Sequence, residues 1–347
     1  MAKTLIAGVI GFAVGAVTIR LYGYDPLAAY HALFNGAFGD LYSISESLAN
    51  ATPLILTALT FAIGFRGGMF NIGAEGQLYL GALAAVAVSY FHLPGAIGVA
   101  LSIIIAVLAG ALWSFPAAIL KATRGVHEVI STIMLNWISQ FLCFYLITEI
   151  LVDPQRAEKT VSIVDSNRLP LLVPGTSLSY AIFISIIAAL IVYFVLWRTV
   201  IGFDVRATGY NPLAAAYAGI EKWKIIVFVF ITGGLTAGLA GAVHVMGRPP
   251  VYAIYGGMPS IKGLGFEGLA VAMIGRNHPI GIIFAAIFFG GLLAGGRMMQ
   301  MLASVPLELV RVVEGMVVLF LAIPELVKLF SWLRKLTPSL NFRAKRS

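Results

Sequence analysis

Residues 198–224 read RTVIGFDVRATGYNPLAAAYAGIEKWK and form a polar interruption between two apolar stretches. Asn211 suits the N-cap of a helix, because its side-chain oxygen can accept a free first-turn N–H. Pro212 loses nothing at the first helical position by lacking an N–H, and Gly219 suits the left-handed residue beyond a helix end. The segment therefore predicts a short helix from Pro212 to Ala218.

This short helix is expected to dock on another surface, because a helix of about two turns does not persist alone in water. Its small and apolar side chains would form the docking face: Ala214, Ala215, Tyr217, Ala218 and Ile220. The alternative is a surface turn that only links two membrane spans.

The composition indicates an integral membrane protein. Of 347 residues, 60% are hydrophobic and only 11% are charged, against about 25% charged in an ordinary soluble domain. The apolar runs are long and lack period-2 alternation, which predicts helical spans and a protein surrounded by membrane lipid. The single Cys143 leaves no disulfide framework or cysteine metal site. The formal charge of +8 is interpreted as a marker of the cytoplasmic side and not of a nucleic-acid partner.

Ten apolar runs are interpreted as membrane crossings of one domain over residues 1–347, with both termini cytoplasmic. Residues 23–50 are expected to lie on the outer surface, and the second span is expected to begin near Thr52. Basic residues concentrate in the segments placed inside, including the central loop 198–224 and the tail 324–347, which agrees with the positive-inside rule.

A short internal repeat supports this topology. The residues GAEG at 73–76 recur as GFEG at 265–268, each after a glycine-rich break. Since the helices before the two copies would run in opposite directions, the repeat predicts two inverted halves with broken helices, at about 51–150 and 225–323. The expected fold class is therefore an all-α polytopic membrane protein.

Three stretches resemble one family. FRGGMFNIGAEGQLYLGAL (65–83), HEVISTIMLNWI (127–138) and ATGYNPLAAAYAGI (207–220) are similar to permease subunits of bacterial ABC importers for nucleosides and simple sugars. That group also includes ribose and branched-chain amino acid permeases. The GAEGQ and HEVI…MLN combination looks more like the nucleoside permeases.

The resemblance implies a ten-helix subunit of the bacterial cytoplasmic membrane that pairs with a second permease, in a heterodimer. It would receive substrate from an extracellular lipoprotein or periplasmic binding protein and contact ATPase subunits through residues 206–220. The family motif assigns the ATPase contact to Gly209, Asn211, Pro212, Ala214, Ala215, Tyr217, Ala218, Gly219 and Ile220. ATP and Mg²⁺ are expected on the ATPase subunits, because this sequence has no G-x-x-x-x-G-K-[ST] phosphate loop. We therefore expect no enzymatic activity and no cofactor in this chain.

Polar residues at membrane depth usually face a cavity or a partner. The candidate substrate pathway consists of Asn71, Glu75, Gln77, Asn136 and Glu267. Two simpler roles stay open: the glutamates could cap the helices that follow them, and Asn136 could form an interhelical hydrogen bond.

A His127–Glu128 pair opens the HEVI stretch. Two such residues without a third ligand are poor evidence for a metal site. Glu128 is expected to cap its helix and to pair with Arg124.

The predicted function is therefore import of a nucleoside, with a simple sugar or another small polar solute as the alternative cargo. A secondary transporter driven by an ion gradient is a rival of a different class. It would need an ion or proton site at mid-membrane, where the sequence has few acids. A purely structural membrane protein would leave the paired breaks unexplained.

Overall fold

The computed structural model describes residues 2–322, so the predicted basic tail at 324–347 lies outside the described residues. The helices before the long polar loop are α1 (Ala2–Leu21), α2 (Pro26–Phe38), α3 (Leu41–Arg66), α4 (Ala74–Ser89), α5 (Gly95–Arg124) and α6 (Glu128–Tyr145). The remaining helices are α7 (Ala181–Arg198), α8 (Val200–Tyr210), α9 (Pro212–Tyr217), α10 (Lys222–Gly247), α11 (Leu264–Ile274), α12 (Pro279–Ala303) and α13 (Leu307–Ala322).

The connection between α6 and α7 departs from the all-α prediction. A π-helical turn, Leu146–Ile150, extends α6. An antiparallel pair then follows, β1 (Val152–Asp153) and β2 (Arg156–Thr160). The polar loop supplies a local ladder there, which satisfies backbone groups in a connection too polar to span the membrane.

The described chain forms two compact units. One contains residues 2–32 and 299–322, and the other contains residues 33–298. In the first unit, α1 packs closely on α13: a Cβ built on Gly11 would lie 2.9 Å from Val317 Cα. All the candidate site residues lie in the second unit.

Six helices among the described residues are long and apolar enough to cross a membrane. They are α3, α5, α6 with its π-helical turn, α7, α10 and α12. The structure therefore supports a multi-pass membrane protein, whereas ten crossings and inverted halves stay predictions.

The N-terminal part of α3 corrects the last part of the prediction for residues 23–50. Residues 41–50 are not a separate surface segment but continue the second span as one helix of 26 residues, in which Glu46 and Asn50 are buried. Glu46 accepts a hydrogen bond from the Ser177 N–H at 2.8 Å, and Asn50 accepts one from Arg248 at 2.9 Å. These partners allow a polar sequence to be buried in the bundle.

Small residues let α10 lie deep among its neighbours. A side chain on Gly238 would collide with the Ala106 carbonyl of α5, and one on Gly81 of α4 would collide with the backbone of Gly238. In a membrane, where lipid and side chains are equally apolar, such close backbone approach drives helix association. The result is a helix α10 in contact with α3, α4 and α5.

Candidate functional site

The break between α3 and α4 contains a buried amide pair. Asn71 Oδ1 accepts hydrogen bonds from the Gly73 N–H at 3.0 Å and from Gln77 Nε2 at 3.2 Å. Both amide side chains are only 1% exposed. Within residues 2–322, Asn71 Nδ2 and Gln77 Oε1 find no hydrogen-bond partner. An unmet buried polar group costs about 1–3 kcal/mol, so this donor and acceptor are suited to a polar ligand that enters the break.

Two threonines join α10 to α3 beside this break. Thr60 Oγ1 lies 2.8 Å from Thr236 Oγ1 and donates to the Gly233 carbonyl at 3.0 Å. A Cβ built on Gly233 would lie 3.1 Å from Asn71 Nδ2. Sequence reasoning missed both threonines, because a threonine in an apolar helix usually bonds only its own preceding turn.

Glu75 is placed at the meeting point of the two glycine-rich repeats. Its carboxylate accepts the N–H of Gly263 at 2.5 Å and that of Gly265 at 2.6 Å, while the Tyr79 hydroxyl donates to it at 2.5 Å. The sequence predicts that Glu75 caps α4, the helix in which it lies. In the structure Glu75 instead caps the N-terminus of a different helix, α11. A carboxylate is favoured there by the free N–H groups and the helix dipole.

Asn136 forms interhelical hydrogen bonds, which was the simpler of the two roles considered for it. Its Nδ2 donates to the Ile72 carbonyl at 2.9 Å and its Oδ1 accepts the Gly76 N–H at 2.9 Å. The amide of α6 thus substitutes for helix hydrogen bonds that the break interrupts. Glu267, the remaining candidate, lies half-buried in the first turn of α11.

The HEVI stretch differs from prediction in two contacts. Glu128 pairs with Lys121 at 2.5 Å and not with Arg124, because Lys121 lies one turn earlier on α5. The N-cap of α6 is His127, whose Nδ1 accepts the Val129 N–H at 3.3 Å. Glu128 also accepts the Phe70 N–H at 3.3 Å, so it ties α5 and α6 to the break after α3.

A small cavity with several polar side chains in its wall adjoins the C-terminal end of α10. Its volume is about 120 Å³. Ionisable, aromatic and hydroxyl side chains contribute to its wall: His244, Arg248, Tyr252, Tyr255 and Ser260. Sequence reasoning missed this cavity, since these residues are scattered through an apolar helix end and a glycine-rich loop.

Helix α9 confirms the short helix predicted within residues 198–224. Asn211 Oδ1 accepts the N–H groups of Leu213 at 3.1 Å and Ala214 at 3.0 Å. Gly219 has φ +85°, the left-handed conformation expected just beyond the helix end.

The predicted docking face of α9 is only partly exposed. Ala215 is 5% exposed, and Ile220 packs against the apolar core around Val229. These two residues hold α9 on this chain, whereas Ala214 and Ala218 of the same predicted face are exposed. The outward face contains Tyr217 and Leu213, which are 94% and 74% exposed. Their four-residue spacing on one helix face was the signal by which the sequence could have identified Leu213.

An additional helix, α8, replaces what the sequence suggested was loop. It folds back tightly on α7, because a side chain on Gly202 would collide with the Val195 and Leu196 carbonyls. At its other end, Gly209 packs directly on the Arg66 carbonyl of α3. Gly209 therefore has an internal packing contact, and the partner contact implied for it by the resemblance stays a prediction.

The turn after α9 is polar and exposed. Lys224 donates to the Glu221 carboxylate at 2.5 Å, and Trp223 Nε1 donates to it at 2.9 Å. The hydrogen bond from Lys224 lowers the pKa of the Glu221 carboxyl below its ordinary value. Glu221 is thus anionic at neutral pH.

The family comparison agrees with this architecture. Residues 43–322 match the family described as branched-chain amino acid transport system / permease component. The chain belongs to this permease family.

Three curated relatives align over almost the full chain. The guanosine ABC transporter permease protein NupP of Bacillus subtilis is 40% identical, over 92% of each chain. The nucleoside ABC transporter permease protein NupB of Lactococcus lactis is 36% identical, over 93% of this chain and 91% of its own length. The glucose ABC transporter permease protein TsgB13 of Haloferax volcanii is 32% identical, over 91% of this chain and 85% of its own. No solved structure matches the chain significantly.

Proposed function

We propose that this chain is a membrane subunit of an ATP-driven importer for nucleosides. The nucleoside assignment is supported by the two relatives named for guanosine and nucleosides, which are more similar to this chain than the glucose relative. Guanosine and related nucleosides carry base edges and hydroxyls that could satisfy the free donor of Asn71 and the free acceptor of Gln77.

In this proposal, the chain supplies one side of the substrate path and a second permease supplies the other. ATP hydrolysis takes place on separate subunits that contact α9 from the cytoplasm. The observation that supports this coupling most directly is the exposed pair Leu213 and Tyr217 on a helix that is fixed from behind by Ala215. An exposed tyrosine on a rigid support is typical of a binding hot spot, and Leu213 beside it extends the apolar surface.

The proposed path passes the break between α3 and α4. Alternating access requires that the helices around such a break change their packing. Glu75 holds the N-terminus of α11 against the start of α4, so these bonds are the ones that opening must rearrange. Asn136 and Glu128 hold the backbone of the break itself, through hydrogen bonds to residues 70, 72 and 76.

We place the chain in the bacterial cytoplasmic membrane with both termini and α9 inside. This orientation puts Arg66, Lys121, Arg124 and Arg198 at the cytoplasmic ends of their helices, as the positive-inside rule favours. Substrate would then arrive from a binding protein at the opposite side, where the hairpin of β1 and β2 lies.

The relative named for glucose supports a simple sugar as a second candidate substrate. A competition experiment separates the two. Vesicles that contain the complete transporter take up labelled guanosine in the presence of a tenfold excess of unlabelled uridine, glucose or ribose. Competition by uridine alone supports the nucleoside assignment, and competition by glucose alone contradicts it.

A further inference from the structure

An apolar groove lies on one flank of the membrane-spanning bundle. Its volume is about 310 Å³, and it lies between α3, α5, α7 and α10. Almost every contributing side chain is aliphatic or aromatic, among them Ile63, Val192, Leu196, Phe228 and Leu239. Ile191 belongs to the groove and is 58% exposed, so the groove is open at the outer surface of the bundle.

The groove is long and narrow. On α10 it extends from Phe228 to Leu239, which corresponds to about 16 Å at a rise of 1.5 Å per residue. All four helices are long and apolar enough to cross a membrane. An occupant from the surrounding bilayer would therefore present hydrocarbon to these walls.

A cluster of cations and aromatic rings lies where α3 and α7 end. Arg66 and Arg206 have their guanidinium carbons 5.1 Å and 5.8 Å from the centre of the Trp197 ring. His278 and Tyr193 complete the cluster, with ring centres 4.7 Å and 5.7 Å from that of Trp197. Tryptophan and tyrosine are the residues that favour the headgroup level of a bilayer.

The positive charge of this cluster is not neutralised by the described part of the chain. Within residues 2–322, no salt bridge joins Arg66 or Arg206 to a carboxylate. Arg66 instead donates to the carbonyls of Asn277 and Arg276. Arg206 donates through Nε to the Gly202 carbonyl at 3.3 Å, which leaves its two terminal nitrogens for another acceptor.

Neighbouring ionisable groups do not cancel this charge. Asp204 is two residues before Arg206 on α8, a spacing that places side chains on different helix faces. Burial and the nearby Arg66 charge lower the pKa of His278, so His278 is neutral at pH 7. Arg198 is exposed at the end of α7, next to Trp197 in the chain, and adds a further positive charge.

The groove and the cluster are continuous. Ile63, in the groove, lies one turn before Arg66 on α3. On α7, the groove residues Val192 and Leu196 alternate with the cluster residues Tyr193 and Trp197. A ligand with an anionic head and a long apolar tail could therefore contact both features at once.

We propose that this flank is a specific binding site for an anionic phospholipid. The phosphate lies between Arg66 and Arg206, since guanidinium groups bind phosphate oxygens in a bidentate geometry, and one acyl chain occupies the groove. Bound there, the lipid fastens α8 to the ends of α3 and α7. The site adjoins the substrate path at Thr236 but opens to the bilayer, and it takes a ligand that is not transported.

The test uses the full chain purified in detergent. Phosphatidylglycerol, phosphatidylcholine with the same acyl chains, and inorganic phosphate are added separately. Native mass spectrometry counts the retained lipid, and a thermal melt follows stability. We expect retention of one phosphatidylglycerol with a rise in melting temperature, and neither effect with phosphatidylcholine.

Two variants test the two parts of the site. Arg206→Gln should weaken phosphatidylglycerol binding about fivefold, the effect expected of one basic residue near anionic lipid. Ala188→Phe fills the groove and should reduce retention of phosphatidylglycerol while the cluster stays intact. Arg156→Gln, at an exposed arginine of β2, is the matched control and should bind as the unmodified chain does.

Melts without lipid show that each variant is folded before binding is compared. Equal retention of the two lipids would overturn the proposal, as would unchanged binding in folded Arg206→Gln. Equal stabilisation by inorganic phosphate would identify a phosphate site without a role for the groove, and would also overturn it. A folded Ala188→Phe that retains phosphatidylglycerol normally would contradict the placement of the acyl chain.

Discussion

Gly209 at the end of α8 lies directly on the backbone carbonyl of Arg66 at the end of α3, with no room for a side chain between them. Gly68, just beyond α3, is similarly close: a Cβ there would lie 3.0 Å from Gly209 Cα. The helix that leads into α9 is thus in backbone contact with the break that contains Asn71. Movement of α9 by a partner would be transmitted to this break through backbone and not through flexible side chains.

Gly209→Ala should impair transport by separating α8 from α3. The added methyl group meets backbone, so we expect overpacking to cost about 1–3 kcal/mol of stability. The decisive measurement is ATP-dependent uptake at equal protein level. Gly257→Ala is the control, because a Cβ at Gly257 meets no atom within 4 Å. Normal uptake by Gly209→Ala would show that this contact does not transmit motion.

Tyr217→Ser and Leu213→Ser should each weaken binding of the ATPase subunits. Loss of a hot-spot tyrosine costs about 2 kcal/mol, or roughly 30-fold in Kd. Leu213→Ser should have a smaller effect, because leucine is under-represented among hot spots. Co-purification with the ATPase and uptake should fall together, while the melting temperature of the isolated chain should stay constant, since both side chains are exposed.

Phe91→Ser is the matched control for these two variants. Phe91 is also an exposed large side chain, at 74%, but lies beyond the far end of α4. If Phe91→Ser lost ATPase binding as severely as Tyr217→Ser, α9 would not be the docking helix.

Asn211→Ala should loosen α9 without touching its outer face. Loss of the N-cap costs about 1 kcal/mol, whereas serine is nearly as good a cap as asparagine. We therefore expect faster hydrogen exchange at the amides of Leu213 and Ala214 in Asn211→Ala, with weaker ATPase binding. Asn211→Ser should restore both. If Asn211→Ser behaved like Asn211→Ala, the asparagine would act through a direct contact and not as a cap.

Glu75→Gln should destabilise the junction of α4 and α11. An amide has only one oxygen to offer the two N–H donors of Gly263 and Gly265, so one charge-assisted bond is lost. We expect a cost of about 1.5–3 kcal/mol, the usual range for hydrogen bonds to charged groups. A thermal melt measures it, with Glu158→Gln in the exposed hairpin as control. An unchanged melting temperature would show that these bonds do not hold the junction.

Local features of this protein were predictable from its sequence, and long-range ones were not. The ends of α9 could be predicted because Asn211 and Gly219 act on backbone groups within three residues. The partner of Glu75 could not, because Gly263 is 188 residues away and only the fold brings them together.

The same limit explains the misplaced polar segment of α3. Residues 41–50 look like surface, since Glu46 and Asn50 are polar. Their partners Ser177 and Arg248 are distant in the chain. The hydrogen bonds to these partners offset the cost of burying Glu46 and Asn50. Pairing of Glu128 with Lys121 in place of Arg124 likewise depends on how α5 and α6 meet. Among the candidate pathway residues, Asn71 and Gln77 each keep a side-chain atom without a hydrogen-bond partner in the described part of the chain. Asn136 uses both its amide oxygen and its amide nitrogen to hold the break.

The most direct test of the account is uptake of labelled guanosine by sealed vesicles that contain this chain with its partner permease, ATPase and binding protein. ATP is enclosed on the ATPase side or omitted, and a proton or sodium gradient is imposed separately. The account predicts uptake that requires ATP, ignores the gradients and is lost in Tyr217→Ser. Uptake that proceeds without ATP and follows an ion gradient would contradict it.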